Sequence, residues 1–217
     1  MADAAPSGSP GQRARARAAS TKRTRTRASL LAAADSAFSA RSWPATRMED
    51  IAAAAGVSTA TAYNHFPTKH SLIGQVFAPH AAALLHQAER DVAAGRPVRD
   101  ALVDQVDALA RLSYHHRSLT SAFTSAVLEY TIRSEHPPDP DDDQDPRVLA
   151  PLPAALVLLV RHGQDSGVLA TDPPAAETAG SIVNLLLVRS LNRKDEPPAE
   201  TARLLRTVLL RTVGLPG

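Results

Sequence analysis

The polar side chains with the clearest chemical potential lie close together between residues 58 and 69. Five of them carry hydrogen-bond donors or acceptors on compact groups: Thr59, Thr61, Tyr63, Asn64 and His65. Hydroxyl, amide and imidazole groups of this kind can hydrogen-bond to base edges in the major groove of DNA, or to phosphates. The small residue Ala60 lets the backbone approach a duplex closely. The pattern therefore predicts a surface that reads double-stranded DNA.

Two short helices around a tight turn are predicted to position these side chains. The segment Met48–Ala55 is rich in alanine, a strong helix former, and repeats apolar residues at i, i+3, i+4 and i+7. Gly56 supplies the permissive backbone that ends a helix, and Ser58 is a good N-cap for a second helix over 58–66. That helix should end before Pro67, because the residue preceding a proline avoids the helical region. A DNA-binding helix-turn-helix has this form, and so does an ordinary amphipathic helical hairpin.

The residues that hold this unit together follow a family pattern. The matching positions are Thr46, Ile51, Ala52, Ala55, Gly56, Val57, Ser58, Thr61, Tyr63, His65, Phe66, Lys69 and Leu72. With these residues at these spacings, the chain resembles the TetR family of bacterial transcriptional regulators. The resemblance covers about residues 23–77, and the rest of the chain is compatible with it.

The resemblance implies a fold and a set of contacts. The fold is all-α, with an N-terminal three-helix helix-turn-helix DNA-binding domain and a C-terminal helical ligand-binding and dimerisation domain. The side chains implied to hold phosphates are Thr46, Thr61, Tyr63, His65 and Lys69. Thr59, Ala60 and Asn64 are our best candidates for approaching bases. Arg47, at the start of the preceding helix, and the N-cap Ser58 complete the predicted DNA interface.

Composition agrees with a helical protein of the cytoplasm. Of the 217 residues, 44% are hydrophobic and only 4% aromatic, so the core must be built mainly from Ala, Leu and Val. The absence of Cys excludes disulfides and thiolate metal sites and permits a reducing compartment. The longest apolar run, near residues 152–160, is shorter than the roughly 20 residues that a membrane helix needs. We therefore expect a cytoplasmic protein that does not contact membranes.

Charge is distributed unevenly along the chain. Residues 1–47 hold nine basic and two acidic side chains, whereas the remainder holds 15 basic and 20 acidic ones. A basic end on an acidic body favours DNA binding at that end. Residues 1–22 lack any apolar period and are interpreted as a disordered basic tail, which either reaches phosphates or a minor groove or only aids solubility. A non-specific nucleoid-type DNA-binding protein driven by this tail is the alternative to a sequence-specific regulator.

Three regions are predicted along the chain: the tail 1–22, a DNA-binding domain 23–70, and a helical ligand-binding and dimerisation domain 71–217. Apolar periodicity and breakers place about nine or ten helices. Apart from 48–55 and 58–66, their expected ranges are 23–40, 67–80, 81–94, 98–115, 119–134, 152–165, 174–191 and 199–213. The break between 67–80 and 81–94 is expected because Pro79 ends or kinks a helix. The acidic, proline-rich residues 135–146 are predicted to form a mobile loop.

The body of the chain is expected to dimerise and to hold a ligand. The resemblance implies a homodimer built mainly from residues 153–164 and 178–191; the alternative is that these apolar helices form a monomer core. It also implies a pocket for a small apolar or amphipathic ligand between the middle helices. The predicted lining residues have reach or polarity on mostly apolar helices: Phe77, His80, Leu109, Tyr114, Phe123, Tyr130, His162 and Asn184.

The sequence gives little support for catalysis. No H-x-x-x-H pair, G-x-S-x-G elbow or glycine-rich phosphate loop is present. The acidic residues 135–146 lack the spacing and the glycine of a calcium-binding EF-hand. We therefore expect no enzyme activity, no cofactor and no metal. The predicted function is a dimeric, DNA-binding transcriptional regulator, a repressor that a small molecule releases from a pseudo-palindromic operator.

Overall fold

The chain folds into helices throughout the part that the structure describes. The computed structural model describes residues 10–215, and their side chains except at 10, 12–14 and 16. Within that range the helices are α1 Pro10–Ala40, α2 Met48–Ala54, α3 Thr59–His65, α4 Lys69–Ala93, α5 Val98–His115, α6 Arg117–Ser134, α7 Pro146–Leu149, α8 Ala154–Asp165, α9 Ala175–Asn192 and α10 Pro198–Thr212. The predicted all-α class is confirmed.

The first helix is longer than predicted. It begins at Pro10, so residues 10–22 are helical where a disordered tail was expected, while residues 1–9 lie outside the described part. The described side chains of the added segment, at 11, 15 and 17–22, are all exposed, but alanine and arginine have high intrinsic helix propensity. Once Leu30, Ala34 and Phe38 anchor the later turns in the core, helix can propagate backwards through such residues without a new nucleus.

Helix α4 also departs from the prediction, because it runs unbroken through Pro79. Pro79 is exposed, so water can hydrate the carbonyl that its missing N–H leaves free. Beyond it, Ala81, Leu84 and Ala88 continue the buried face of the helix. Burial on the far side of the proline therefore outweighs the local cost of the broken hydrogen bond.

Two groups of helices share one continuous core. Helices α1–α3 and the start of α4 form an N-terminal head around buried Phe38, Trp43, Ile51 and Phe66. In the body, α8 packs against α4, α5 and α9, and α10 packs against α5. Helix α4 belongs to both groups, and α6 packs against α1 as well as α4. The predicted domain division at residue 70 thus falls in the first turn of α4.

The acidic segment 135–146 leads into the short helix α7. Asp145 is fully buried, caps α7 and accepts hydrogen bonds from the Arg147 side chain at 2.7–3.0 Å. Helix α7 lies so close to α4 that a Cβ on Gly74 would stand 2.9 Å from the Cβ of Leu149. Of the helices described, none is both long and apolar enough to cross a lipid bilayer.

Candidate nucleic-acid interface and ligand cleft

Local rules of helix termination set the position of α3. Gly56 has φ +70°, a left-handed conformation that allows the chain to turn sharply after α2. The hydroxyl of Ser58 then accepts a hydrogen bond from the backbone N–H of Thr61 at 3.2 Å. On the inner side of α3, Ala62 and Phe66 are buried. The predicted helix-turn-helix geometry is therefore present, with one side of α3 fixed in the core.

The opposite side of α3 faces solvent. Tyr63 is 43% exposed, Ala60 and Asn64 are exposed, and Thr59, Thr61 and His65 are partly exposed. Of the four predicted residues outside this helix, two are also exposed: Arg47 at the N-cap of α2, and Ser58. Eight of the ten predicted DNA-binding residues are thus at least partly accessible, and we call the surface formed by those on α3 the α3 face.

Thr46 differs from its predicted role. It is only 1% exposed, and its hydroxyl donates to the carbonyl of Ser42 at 3.0 Å. In this arrangement the Thr46 hydroxyl is enclosed and already bonded, so it is not presented to a phosphate. Its place is in the loop between α1 and α2, where it closes a turn.

Lys69 is directed into the same loop. Its ammonium donates to the carbonyls of Trp43 at 2.8 Å and Thr46 at 3.1 Å, and it lies 3.9 Å from the centroid of the Trp43 ring. Burial lowers the pKa of Lys69, and the nearby Glu129 carboxylate opposes that shift. Lys69 therefore fixes the loop that precedes α2. In this arrangement its ammonium is bonded to that loop and is not directed toward a phosphate.

Arginines of α1 border the α3 face. The guanidinium of Arg27 donates to the carbonyl of His65 at 3.3 Å and lies 4.4 Å from the centroid of the Phe66 ring. Burial, together with the positive charges of Arg23 and Arg27, lowers the pKa of His65. From the sequence, these arginines were recognised only as part of the basic N-terminal region, residues 1–47. Their i, i+4 spacing on a helix was the signal that could have placed them beside α3.

A polar junction joins the head to the body. The indole N–H of Trp43 donates to the Glu129 carboxylate of α6 at 2.6 Å, and the other Glu129 oxygen lies 3.3 Å from Nε2 of His70. The Tyr130 ring lies 5.4 Å from the His70 ring, and its hydroxyl donates to Asp142. Tyr130, a predicted ligand residue, is therefore part of this junction.

The other predicted ligand residues do not form one site. Phe77 stacks on Phe123 at 4.3 Å between ring centroids, and the His80 ring lies 5.3 Å from Phe77. Phe77, Phe123 and Leu109 are buried in the packed core. The remaining three are dispersed: Tyr114 lines a cavity of about 20 Å³ that has room for about one water molecule, His162 is half-buried on α8, and Asn184 is exposed on α9.

The larger opening is a cleft of about 570 Å³ between α4 and α5. Of the predicted ligand residues, only His80 lines it. Its lining residues are His80, Ala83, Leu84, Gln87, Arg90, Arg96, Asp104, Gln105, Ala108, Arg111 and Leu112. Burial and the neighbouring His116 lower the pKa of His80. Nothing in the sequence marked this cleft, because it depends on α4 continuing past Pro79 alongside α5.

Within residues 10–215, no three His, Asp or Glu side chains lie close enough together to bind a metal ion.

Comparison with known proteins identifies the head and the fold. Residues 30–76 match the model of a family described as bacterial regulatory proteins, tetR family. No curated protein is significantly similar to the sequence. Among solved structures, FadR of Thermus thermophilus, a TetR-family transcriptional repressor in complex with lauroyl-CoA, is 22% identical; the match covers 88% of this chain and 96% of that one, with a TM-score of 0.70.

Two further structures share the fold at lower identity. The fatty acid degradation regulator FadR of Bacillus halodurans is 15% identical, with coverages of 85% and 94% and a TM-score of 0.62. RolR in complex with the ligand resorcinol is 16% identical, with coverages of 90% and 91% and a TM-score of 0.62.

Proposed function

We propose that this chain is a dimeric, sequence-specific transcriptional repressor that a small molecule releases from DNA. The premise is that the chain carries the DNA-binding domain of the TetR family of bacterial regulatory proteins and shares the fold of its solved members. The observation that carries the proposal is the α3 face: one side of α3 is locked in the core by Ala62 and Phe66, and the other presents the small residue Ala60 and a set of polar side chains to solvent. Such a helix fits a major groove.

We assign the contacts on the α3 face by reach. Thr59, Ala60 and Asn64 approach base edges, and Asn is well suited to bidentate bonding with adenine. Ser58, Thr61, Tyr63, His65 and Arg47 surround them and hold phosphates. Thr46 and Lys69 act indirectly, because their side chains fix the loop between α1 and α2. The arginines of α1 beside α3 add attraction to the DNA backbone.

We propose that the dimer forms through the outer faces of α8 and α9. Ile182, Val183 and Leu186 of α9 are buried within the chain, whereas Val188 is 50% exposed on its outer side. Asn184 is exposed on α9, and Val157 and Leu158 of α8 are only partly buried. A dyad between two such faces would bury apolar surface and present two α3 helices to the half-sites of a palindrome.

Ligand release is proposed to act through α4. This helix carries Lys69 and His70 under the head and forms one wall of the cleft further along. Solved proteins of the same fold are bound to lauroyl-CoA and to resorcinol, which supports a small-molecule role for the body. A ligand that favours a different spacing of α4 and α5 would shift the population of head positions and weaken DNA binding.

Two alanine substitutions, each measured on two duplexes, test the assignment of the α3 face. Tyr63→Ala should weaken binding to a selected operator and to a scrambled duplex by similar factors, because a phosphate contact carries no sequence information. Thr59→Ala should weaken operator binding by about 1–3 kcal/mol and leave the scrambled duplex unaffected, if it contacts a base. Equal losses on both duplexes for Thr59→Ala would refute its role in reading bases.

A further inference from the structure

The cleft between α4 and α5 combines an apolar wall with an unusual polar floor. Gln105 lines it and is only 2% exposed, yet neither the nitrogen nor the oxygen of its side-chain amide has a hydrogen-bond partner among the described residues. A buried polar atom without a partner costs more than the same atom in water. The amide is therefore arranged to pair with something that enters the cleft, and it offers one donating and one accepting side.

Positive charge lies around the same cleft. Three arginines line it against a single carboxylate, that of Asp104. The Arg96 guanidinium forms ion pairs with that carboxylate at 2.7 Å and with the carboxylate of the buried Asp91 at 3.1 Å. Among the described residues, Arg90 bonds only to the neutral Gln87, and Arg111 forms no ion pair. Two guanidinium groups are thus available for an anion that approaches the cleft.

The apolar part of the cleft is aliphatic. Its hydrophobic lining comes from Ala83, Leu84, Ala108 and Leu112, and the only ring among the lining residues is the imidazole of His80. A volume of about 570 Å³ lies within the ordinary range for small-molecule sites. Flexible aliphatic chains pack on such a surface, whereas it offers little area for stacking an aromatic ring.

We propose that the α4–α5 cleft binds an amphipathic organic anion: an aliphatic chain along the leucine and alanine wall, a secondary amide paired with Gln105, and an anionic end held by Arg111 and Arg90. An amide matches Gln105 because its carbonyl accepts from the side-chain N–H while its own N–H donates to the side-chain carbonyl. The binding of this anion does not depend on the proposed function, but its effect on DNA binding does. Helix α4 forms one wall of the cleft, so a bound ligand would act on the head through that helix.

Isothermal titration of the full chain with three probes tests the ligand class without DNA. N-decanoylglycine has the chain, the amide and the carboxylate; decanoate lacks the amide, and N-decanoylethanolamine lacks the charge. We expect N-decanoylglycine to bind about tenfold more tightly than either of the others, as the loss of one hydrogen-bonded or charged contact predicts. Equal binding of all three probes, or binding of none, overturns the proposal.

Variants place that binding in the cleft. Arg111→Gln should lower the affinity for N-decanoylglycine about tenfold and leave N-decanoylethanolamine unaffected. Arg99→Gln, which also removes a charge from an exposed position on α5 but outside the cleft, serves as the matched control and should change neither. Gln105→Met should reduce the affinity for N-decanoylglycine to that of decanoate. Undiminished binding in Arg111→Gln and Gln105→Met would contradict the site.

The outcomes also separate this inference from the proposed function. Binding of the parent chain to its selected duplex is measured first, without any probe. Loss of duplex binding on addition of N-decanoylglycine, but not in Gln105→Met, supports both. Probe binding without duplex binding would reject the regulator and retain the cleft. Duplex binding without any preference among the probes would reject the ligand class and retain the regulator.

Discussion

The head and the α4–α5 cleft treat buried polar groups in opposite ways. In the head, the hydroxyls of Thr46 and Ser71 and the ammonium of Lys69 are all bonded to neighbouring backbone groups. At the cleft, both amide atoms of Gln105 have no partner among the described residues. Of the buried polar side chains of the head, only His70 leaves an atom, Nε2, without a hydrogen-bond partner among the described residues, whereas we infer that the cleft is completed by a further molecule. This difference fits the two proposed roles, in which the head recognises DNA and the cleft responds to a ligand.

The largest effect should come from breaking the packed side of α3. Phe66→Ala removes a ring that is 1% exposed, and we expect the free energy of unfolding to fall by about 3–5 kcal/mol. Tyr63→Ala, three residues earlier and 43% exposed, is the matched truncation and should change stability by less than about 1 kcal/mol while still impairing DNA binding. Denaturant unfolding of both variants measures this. Similar losses of stability would mean that α3 does not have one fixed and one free side.

The next largest effect concerns the proposed dimer. Val188→Asp places a charge in the α8–α9 face and should weaken self-association by about 3 kcal/mol. Val168→Asp, at a similarly exposed position outside α8 and α9, is the control and should leave self-association unchanged. Sedimentation equilibrium gives both values. If Val188→Asp associates as the parent does, the dimer does not use this face.

Removing one polar group from each region tests the comparison itself. Thr46→Val deletes a bonded hydroxyl in the head and should lower the free energy of unfolding by about 1 kcal/mol. Gln105→Met deletes an unpartnered amide of similar size and should raise it by about 1 kcal/mol in the absence of ligand. Opposite signs in thermal or denaturant unfolding are the expected result. A loss of stability in Gln105→Met would mean that the amide is already satisfied.

The smallest effect is a pH dependence at the junction. Burial lowers the pKa of His70; the negative charges of Glu129 and Asp145 oppose this, and the positive charges of Arg133 and Lys69 add to it. The unfolded chain then takes up the proton near pH 6.5, before the folded chain does. The contribution to stability is therefore complete above that pH and is lost as the pH falls below it.

Unfolding free energies measured between pH 7 and pH 5 check this sign. His70→Gln should flatten the decline, and Glu129→Gln should steepen it by removing the charge that favours protonation. An unchanged slope in His70→Gln would assign the pH dependence to other groups.

Much of the head was predictable from sequence, because its signals are local. The alanine-rich run before Gly56, the N-cap Ser58 and the break at Pro67 placed α2 and α3 to within one or two residues, and the TetR resemblance is confirmed. The surroundings of Thr46 and Lys69 were not predictable, because residues distant in the chain determine them. Thr46 is polar by type but enclosed by the loop, and Lys69 points at carbonyls that lie 23 and 26 residues earlier in the chain.

The body was predictable in class but not in detail. Periodicity found α5 with its observed ends, yet Pro79 was misjudged because burial of later residues of α4 holds the helix together. The predicted ligand residues were chosen by reach and polarity, and Phe77, Phe123 and Leu109 are packed in the core. The cleft instead depends on Gln105, whose significance lies in its missing partners, and these are visible only when the neighbouring helices are in place.

Selection of bound sequences from a random duplex pool tests the central claim most directly. The best sequence and a scrambled duplex are then titrated at two salt concentrations. We predict that the best selected sequence is dyad-symmetric and binds far more tightly than scrambled DNA at both salt concentrations. If instead no sequence is enriched and all affinity disappears as salt rises, the basic α1 surface attracts only the DNA backbone, and a non-specific nucleoid-type DNA-binding protein replaces the repressor.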